Sequence, residues 1–145
     1  MKRHSAGVLL SSLLLSATAM AADLPKVEVY KSATCGCCSR WADHMRQQGF
    51  AVNTNDVADV AAERRRLGMP DAESGCHTAV VGGYVIEGHV PASDVKRLLI
   101  ERPKALGLAV PDMPKGSPGM ESADPVPYQV RLVQTDGTFR TFANH

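Results

Sequence analysis

The sequence lacks a strong charge of either sign. Its 145 residues include 16 Lys and Arg against 15 Asp and Glu, a formal net charge of +1. Proteins that bind nucleic acid or anionic membranes by electrostatic attraction carry a strongly basic surface. A short basic run at 64–66 lies in a predicted helix and is typical of a solvated face. We therefore expect no nucleic acid partner, and we look to an ion, a small ligand or another protein.

Long hydrophobic runs are also lacking. The apolar stretch 6–17 is shorter than the roughly 20 residues that a membrane-spanning helix needs, and serines interrupt it. It follows basic residues at 2–4 and precedes the small-residue cleavage signal at 19–21, which is the order found in secretory signal peptides. We predict a signal peptide at 1–21, export to the periplasm, and a single domain at 22–145 that is not held in a membrane.

Cysteine is scarce as well, and its distribution is uneven. Three of the four cysteines lie in the stretch C-G-C-C as Cys35, Cys37 and Cys38, and the fourth is Cys76. Adjacent cysteines do not readily pair, because a disulfide between neighbours closes a strained ring. Only one long-range bridge, through Cys76, can then reach the cluster. A disulfide scaffold of the kind common in exported proteins therefore leaves two thiols unexplained.

Apolar periodicity and turn residues predict an α/β fold with the element order β-α-β-α-β-β-α. The predicted strands are 26–31, 50–54, 76–81 and 84–89, and the predicted helices are 39–48, 59–67 and 91–101. Six of the nine prolines fall in 103–127, which we predict to be a strap without helix or central strand. A β-hairpin at 128–143 is predicted to close the chain.

Cys35 and Cys38 form a C-x-x-C pair between the first predicted strand and the first helix, as in thioredoxin-like proteins. The free N–H groups and the dipole at a helix N-terminus lower the pKa of a cysteine. The resulting thiolate serves as a redox nucleophile or as a metal ligand. In a thioredoxin-like sandwich, a cis-proline before the third strand packs against this turn. Here His77 occupies that position and Cys76 precedes it, so the four thiols are expected to converge in one pocket.

Four clustered thiolates favour a soft metal: copper(I), zinc or an iron–sulfur cluster. Structural zinc sites are tetrahedral and are usually built from two separate C-x-x-C pairs, and the second pair is absent from this sequence. Crowded thiolates can instead bridge two or more copper(I) ions. Iron–sulfur assembly fits an exported protein less well. Copper is therefore the metal that we predict for the cluster.

The strap adds two thioether groups, Met113 and Met120, on stiff proline-flanked loops. A thioether is a further soft copper ligand, and the alternative is that both side chains fill gaps against the core. We expect Met45 and Met69 to lie in the core. We treat His77 as a candidate ligand, and we expect solvated positions for His44, His89 and His145.

Three motifs stand in order along the chain. They are C-G-C-C, then S-G-C-H-T-A-V-V-G-G-Y-V-I-E-G-H-V-P (74–91), then P-D-M-P-K-G-S-P-G-M-E (111–121). Together they resemble the CopG-type family, which was long described as a domain of unknown function and is associated with bacterial copper resistance. The resemblance covers 26–121. The family pattern leads us to expect glycine where this chain has Asp112.

The resemblance implies a thioredoxin-like fold, a periplasmic location and copper(I) held by the cysteines, in one form as a multinuclear thiolate cluster with redox activity. Carried over by motif, the ligands are Cys35, Cys37, Cys38 and Cys76. The implied partners are copper ions and other periplasmic copper-handling proteins.

Two alternatives to copper binding stay open. A thiol–disulfide oxidoreductase would use a reactive Cys35 and a Cys35–Cys38 disulfide, and it would not need Cys37. An inert fold stapled by one disulfide to Cys76 would leave its other thiols idle. We favour copper because a bridged metal site is the one function that uses the third clustered thiol.

Overall fold

The structure, a computed structural model, describes residues 23–145, so the predicted signal peptide at 1–21 lies outside the described residues. Within this range there are seven strands, three α-helices and one short 3-10 helix: β1 (Val27–Lys31), α1 (Gly36–Gln47), β2 (Val52–Asp56), α2 (Val60–Arg66), the 3-10 helix (Asp71–Glu73), β3 (His77–Val81), β4 (Tyr84–Gly88), α3 (Ala92–Glu101), β5 (Gly107–Val110), β6 (Gln129–Val133) and β7 (Phe139–Asn144). None of these helices is long and apolar enough to cross a membrane.

The strands form one mixed sheet in the order β2-β1-β3-β4-β5-β6-β7. β1 pairs in parallel with β2 and antiparallel with β3, and β4 runs antiparallel to β3. β5 then lies parallel to β4, and β6 and β7 follow in antiparallel pairs. The predicted α/β class is confirmed. Apart from the short 3-10 helix, the element order β-α-β-α-β-β-α is also the observed order for 27–101.

Helix α1 begins three residues earlier than predicted because the cysteine turn is its first turn. Cys35 is the N-cap, and its side chain accepts a hydrogen bond from the backbone N–H of Cys38. One face of α1 is buried, formed by residues at helical spacing: Cys38, Trp41, Ala42 and Met45. The cysteine motif therefore lies where the carboxyl end of β1 meets the N-terminus of α1.

The proline-rich strap differs from the prediction, because it contains a central strand. Residues Gly107–Val110 form β5 between β4 and β6, and all four are buried. This short segment is free of proline and apolar throughout, as is typical of a strand that pairs in parallel and is covered on both faces. The prolines of 103–127 flank β5, and the composition of the whole region conceals it.

The core occupies both faces of the sheet because successive strand residues point to opposite sides. On one face, Trp41 and Met45 of α1 and Leu98 of α3 pack in a cluster that includes Ile86, Leu108 and Leu132. On the other face, Met69 lies in a smaller cluster with Val85, Ala109 and Val133. The expectation that Met45 and Met69 are core residues is confirmed.

Candidate metal centre

The first part of the site is the turn that opens α1. The Sγ atom of Cys35 lies 3.3 Å from the backbone nitrogen of Cys38, which donates a hydrogen bond to it. The same two cysteines are joined by a disulfide. Cys38 is fully buried against the core, whereas Cys35 is partly exposed. The turn thus places one member of the C-x-x-C pair inside the protein and the other near the surface.

The two remaining cysteines, Cys37 and Cys76, carry free thiols beside this disulfide. Their Sγ atoms lie 3.7 Å apart. The Cys37 sulfur lies 3.5 Å from that of Cys35, and the Cys76 sulfur lies 3.4 Å from that of Cys38. All four sulfur atoms lie within 4.8 Å of one another. The structure therefore brings together the four cysteines that the sequence analysis selected.

Cys76 is held in place by a buried carboxyl group next to its loop. Glu87 accepts hydrogen bonds from the Gly75 N–H at 2.7 Å, from Arg64 Nε at 2.9 Å and from Thr78 Oγ1 at 2.6 Å. Arg64 also donates to the Gly75 carbonyl at 3.2 Å. The backbone N–H and carbonyl groups of Gly75, the residue before Cys76, are therefore both hydrogen-bonded to buried side chains. The expectation that the whole basic run 64–66 is solvated is wrong for Arg64, which is buried.

Burial raises the pKa of Glu87, and the hydrogen bonds from Thr78, Gly75 and Arg64 act in the opposite direction. All three partners are donors to its two oxygen atoms, which suits an ionised carboxylate because that form only accepts hydrogen bonds. Glu87 and Arg64 thus form a charge-paired support under the loop that carries Cys76.

A histidine that the sequence analysis expected to be solvated, His89, is fully buried in the site. Its Nε2 atom lies 2.8 Å from the Sγ atom of Cys76, and its Nδ1 atom lies 2.7 Å from the carbonyl oxygen of Pro118. The residues that precede Cys76 and His89 lie very close together, because a Cβ atom on Gly75 would lie 2.5 Å from the Gly88 Cα atom. Glycine at both positions allows this approach.

The register of the β3–β4 hairpin explains why His89 reaches the cysteine. Thr78 pairs with Glu87 and Val81 with Tyr84. Extending the same antiparallel register two residues beyond the first pair places Cys76 opposite His89.

The other buried histidine is His77, the first residue of β3. Its Nδ1 atom lies 3.5 Å from the Sγ atom of Cys76, and its ring centroid lies 4.4 Å from that of Trp41 and 5.2 Å from that of His89. Its Nε2 atom is buried and has no hydrogen-bond partner among the described residues. Burial, with a further contribution from His89, holds the pKa of His77 well below its ordinary value, so the ring is neutral.

The protonation state of Cys76 follows from its surroundings. Burial, followed by the neighbouring Cys37, raises the pKa of Cys76 to about 12. Burial also lowers the pKa of His89, which is therefore neutral. Because the Pro118 carbonyl can only accept, the His89 proton lies on Nδ1 and the Nε2 lone pair faces the thiol. Without a metal, the Cys76 S–H group donates to that lone pair, and a metal ion has to displace this proton.

The strap closes over the N-terminal turn of α1. Arg40 Nε donates to the Gly119 carbonyl at 3.0 Å, and Ser117 is fully buried. A Cβ atom on Gly119 would lie 2.7 Å from the Cys37 carbonyl oxygen, so only glycine allows the strap to come this close. Together with the His89–Pro118 contact, these interactions place residues 117–119 directly against the cysteine turn.

The two methionines that were proposed as ligands occupy different positions in the strap. Met120 is half-buried and directly follows Gly119, which packs against the cysteine turn. Met113 is 39% exposed and lies in the turn after β5. In that turn the φ angle of Asp112 is +66°, in the left-handed region that favours glycine. Aspartate is among the few other residues that tolerate this region, which accounts for its presence where the family pattern suggests glycine.

Two further histidines within residues 23–145, His44 and His145, are not part of the cysteine and histidine groups. His44 is half-buried on α1, and its Nε2 atom accepts a hydrogen bond from the Ala92 N–H at 3.1 Å. His145 is exposed and contacts Asp94 at 2.7 Å.

The donor set fits a soft metal ion. Bonds of about 2.1–2.3 Å to nitrogen or sulfur set donor separations of roughly 3.4–3.8 Å in a tetrahedral site. The three short sulfur–sulfur contacts outside the disulfide, 3.4, 3.5 and 3.7 Å, fall in this range. Two of the four sulfur atoms become thiolates only after the Cys35–Cys38 disulfide is reduced. The reduced site is therefore the one that can bind metal through all four cysteines.

Comparison with known proteins gives a consistent family assignment. A family model described as a protein of unknown function, DUF411, matches residues 73–120, which include Cys76, both buried histidines and most of the strap. Two solved structures described as copper resistance protein CopG, forms 1 and 2, share 41% sequence identity with this chain. Each comparison covers 84% of this chain and 98% of the other, with TM-scores of 0.79 and 0.80. No curated protein sequence matches the chain.

Proposed function

The chain belongs to the CopG family of copper-resistance proteins, and from this premise we propose that it binds copper(I) through clustered cysteine thiolates in copper resistance or homeostasis. The ligands are Cys35, Cys37, Cys38 and Cys76. The observation that carries the proposal is the convergence of their four sulfur atoms within 4.8 Å. Soft thiolates favour copper(I) over harder divalent ions.

The spacing of the cysteines favours several bridged copper ions over one ion. Cys37 and Cys38 are adjacent in α1, and their side chains leave the helix in different directions, so they do not readily share one tetrahedral ion. The Cys37 sulfur lies between those of Cys35 and Cys76, at 3.5 and 3.7 Å. A thiolate in this position can bridge two copper ions that its neighbours also contact.

The methionines of the strap complete the proposed ligand set. Met120 is the stronger candidate, because the adjacent Gly119 is packed against the Cys37 carbonyl. Met113 is more exposed and is the weaker candidate. Thioethers suit copper(I) and resist the oxidation to disulfides that removes thiolates.

The proposal includes a thioredoxin-like fold for 27–101 and export to the periplasm through the signal at 1–21. The observed element order and the position of Cys35 at the start of α1 support the fold. His77 stands where that fold carries a cis-proline, and the described residues contain no cis peptide bond. Copper ions and other periplasmic copper-handling proteins are the proposed partners.

The test is an anaerobic copper(I) titration of the fully reduced chain 22–145, followed by native mass spectrometry. We expect more than one copper ion per chain and a lower number for Cys37→Ser. The matched control is the double variant Cys37→Ser/Ser93→Cys, which restores the number of thiols at an exposed position on α3. This control should behave as Cys37→Ser does. Unchanged copper binding by Cys37→Ser would contradict a bridged site.

A second candidate function, thiol–disulfide exchange, is favoured by one observation: Cys35 and Cys38 form a disulfide at a helix N-terminus. In this reaction the reduced pair would give two electrons and two protons to a substrate disulfide and would itself become oxidised. Insulin reduction measures the activity. It should survive Cys37→Ser, whereas clustered copper binding should not, so one variant separates the two functions.

A further inference from the structure

A groove at the far end of α3 has no part in the proposed metal site. It lies between the segment that precedes β1 and the C-terminal half of α3, and it encloses about 320 Å³. Helix α3 begins at Ala92, shortly after His89, and ends at Glu101. A helix of ten residues is about 15 Å long, so much of its length separates the groove from the cysteine site.

The walls of the groove are largely apolar. Leu24 and Pro25 line it from the segment before β1, and Leu99 and Ile100 line it from α3. Ile100 is 82% exposed, against 39–48% for the other large exposed hydrophobic side chains within residues 23–145. An apolar side chain this exposed beside an apolar groove forms a contiguous patch, which is the feature that marks an interaction surface.

The contacts around the groove hold it open. Helix α3 stops at Arg102, which has a left-handed φ angle of +50° and donates its N–H to the Leu98 carbonyl at 2.9 Å. A Cβ atom on Gly82 would lie 2.5 Å from the Leu99 side chain, so this side chain is already packed and does not fill the groove. A surface that is formed before binding loses little conformational entropy when a partner covers it.

The groove has two distinct ends. Leu24 and Lys96 lie at the end beside Gly49 and Phe50: a Cβ atom on Gly49 would lie 3.8 Å from Leu24 Cδ1, and Lys96 Nζ lies 6.0 Å from the Phe50 ring centroid. Arg102 lies at the other end, where its Nη1 atom donates to a carbonyl of the β3–β4 turn at 3.2 Å.

The two ends carry charges that a second copy of the chain can pair. Asp23 precedes Leu24 and lines the groove as an exposed carboxylate. Lys96 lies over an aromatic ring at the same end, whereas Arg102 is exposed at the other end and bonds an uncharged carbonyl. A two-fold axis across the groove exchanges its ends, so Asp23 of each chain faces Arg102 of the other. Such an isologous contact uses one patch twice.

We propose that this groove is the contact surface of a symmetric dimer, in which Ile100 of each chain enters the groove of a second copy and two Asp23–Arg102 ion pairs flank the apolar centre. The dimer leaves the cysteine turn of each chain uncovered. The patch comprises half of one short helix and one entering segment, which is small against the roughly 1,200–2,000 Å² of a stable interface. The dimer is therefore weak and depends on chain concentration.

The test is sedimentation equilibrium of the metal-free chain 22–145, with a reductant present so that the free thiols cannot link two chains. We expect the average mass to rise from that of one chain toward that of two between about 10 µM and about 1 mM, the range of weak association. Ile100→Glu should stay monomeric throughout, because it places an unpaired carboxylate in each apolar groove.

The matched control is Val126→Glu, which makes the same kind of change at a position that is 46% exposed and outside the groove. It should associate as the wild type does. Charge reversal then tests the two-fold geometry. Asp23→Arg and Arg102→Asp should each weaken association several-fold, and the double variant should restore it. Aspartate is chosen at position 102 because it tolerates a left-handed φ angle.

A wild-type chain that stays monomeric at about 1 mM, above the range of weak association, overturns the proposal. A dimer that survives Ile100→Glu, or a double charge variant that fails to restore association, also overturns it. A monomer that binds phosphatidylglycerol vesicles, and loses this binding in Ile100→Glu, assigns the groove to a lipid surface and rejects the dimer. No copper is present in these experiments, so every outcome is independent of the proposed copper function.

Discussion

The two halves of the sheet are built from similar strands but differ in the kinds of side chain that they bury. The half formed by β2, β1, β3 and β4 buries polar and sulfur-containing groups at one end: Cys38, His77, Glu87 and His89. The half formed by β5, β6 and β7 contributes mainly aliphatic side chains to the core, including Leu108, Val110, Val130 and Leu132. The candidate metal ligands therefore lie beside one half of the sheet, and the other half contributes apolar side chains to the core without them.

Two buried glutamates sharpen this contrast. Glu87 pairs with Arg64 directly beneath Gly75 and Cys76. Glu73 pairs with Arg131 of β6, which links the β5–β7 half to the loop before the site. The two pairs have the same chemical composition, but only the first contacts the residue that precedes a proposed ligand.

The largest effect on stability is expected from a change in the aliphatic half, Leu132→Ala. Leu132 is buried, and removing such a side chain costs about 3 kcal/mol because of lost burial and the cavity that remains. Urea unfolding of the metal-free protein measures the loss. The number of copper(I) ions per folded chain should not change. A parallel loss of copper would show that the two halves are not separable in function.

The next largest effect is expected from Glu87→Gln. This change removes a charged acceptor from three donors and should cost about 2 kcal/mol of stability. Because it also releases the Gly75–Cys76 backbone, we expect copper(I) affinity to fall on the order of tenfold, equivalent to about 1.4 kcal/mol. Competition with a copper(I) chelator measures the affinity.

Glu73→Gln is the matched control for the Glu87 variant. Its partner Arg131 is 28% exposed, against 8% for Arg64, so water can partly replace the lost contact. We expect a smaller loss of stability and little change in copper affinity. Equal losses of affinity in the two variants would mean that Glu87 acts through general stability and not through the position of Cys76.

Much of the site-bearing half could be predicted from the sequence, because its signals are local. Period-two apolar strands, the helical spacing of Trp41 and Met45, and the helix stop at Gly49 all act within a few residues. The cysteine convergence was predicted from the order of the elements. The strand β5 was missed because its partners, β4 and β6, lie far away in sequence, and its flanking prolines dominate the local composition.

The position of His89 opposite Cys76 could have been predicted from the sequence. A two-residue Gly82-Gly83 turn fixes the register of the hairpin, and counting outward from it places His89 opposite Cys76. Burial of Arg64 could not be found in this way, since it depends on Glu87 arriving from another strand. His89 and Arg64 are polar residues, and local sequence alone therefore favoured solvated positions for both. Contacts with residues from other elements bury them in the folded protein.

The last predicted effect is a pH dependence that belongs to the site-bearing half. Burial lowers the pKa of His77 and of His89 below the ordinary value of 6.5. Below about pH 6.5 the unfolded chain therefore binds protons at these positions that the folded chain does not bind. These two groups therefore make the free energy of unfolding of the metal-free protein decrease as the pH falls below that value, and they add no pH dependence above pH 7.5.

Urea unfolding at a series of pH values from 7.5 to 5 measures this dependence, and two variants test whether it belongs to one half of the sheet. His89→Gln removes one of the two buried histidines, so its stability should fall less steeply with acid than that of the wild type. Leu132→Ala leaves both histidines in place, so its curve should be displaced to lower stability with the wild-type slope. If Leu132→Ala flattened the curve as His89→Gln does, the histidines would owe their burial to the aliphatic half, and the separation between the halves would not hold.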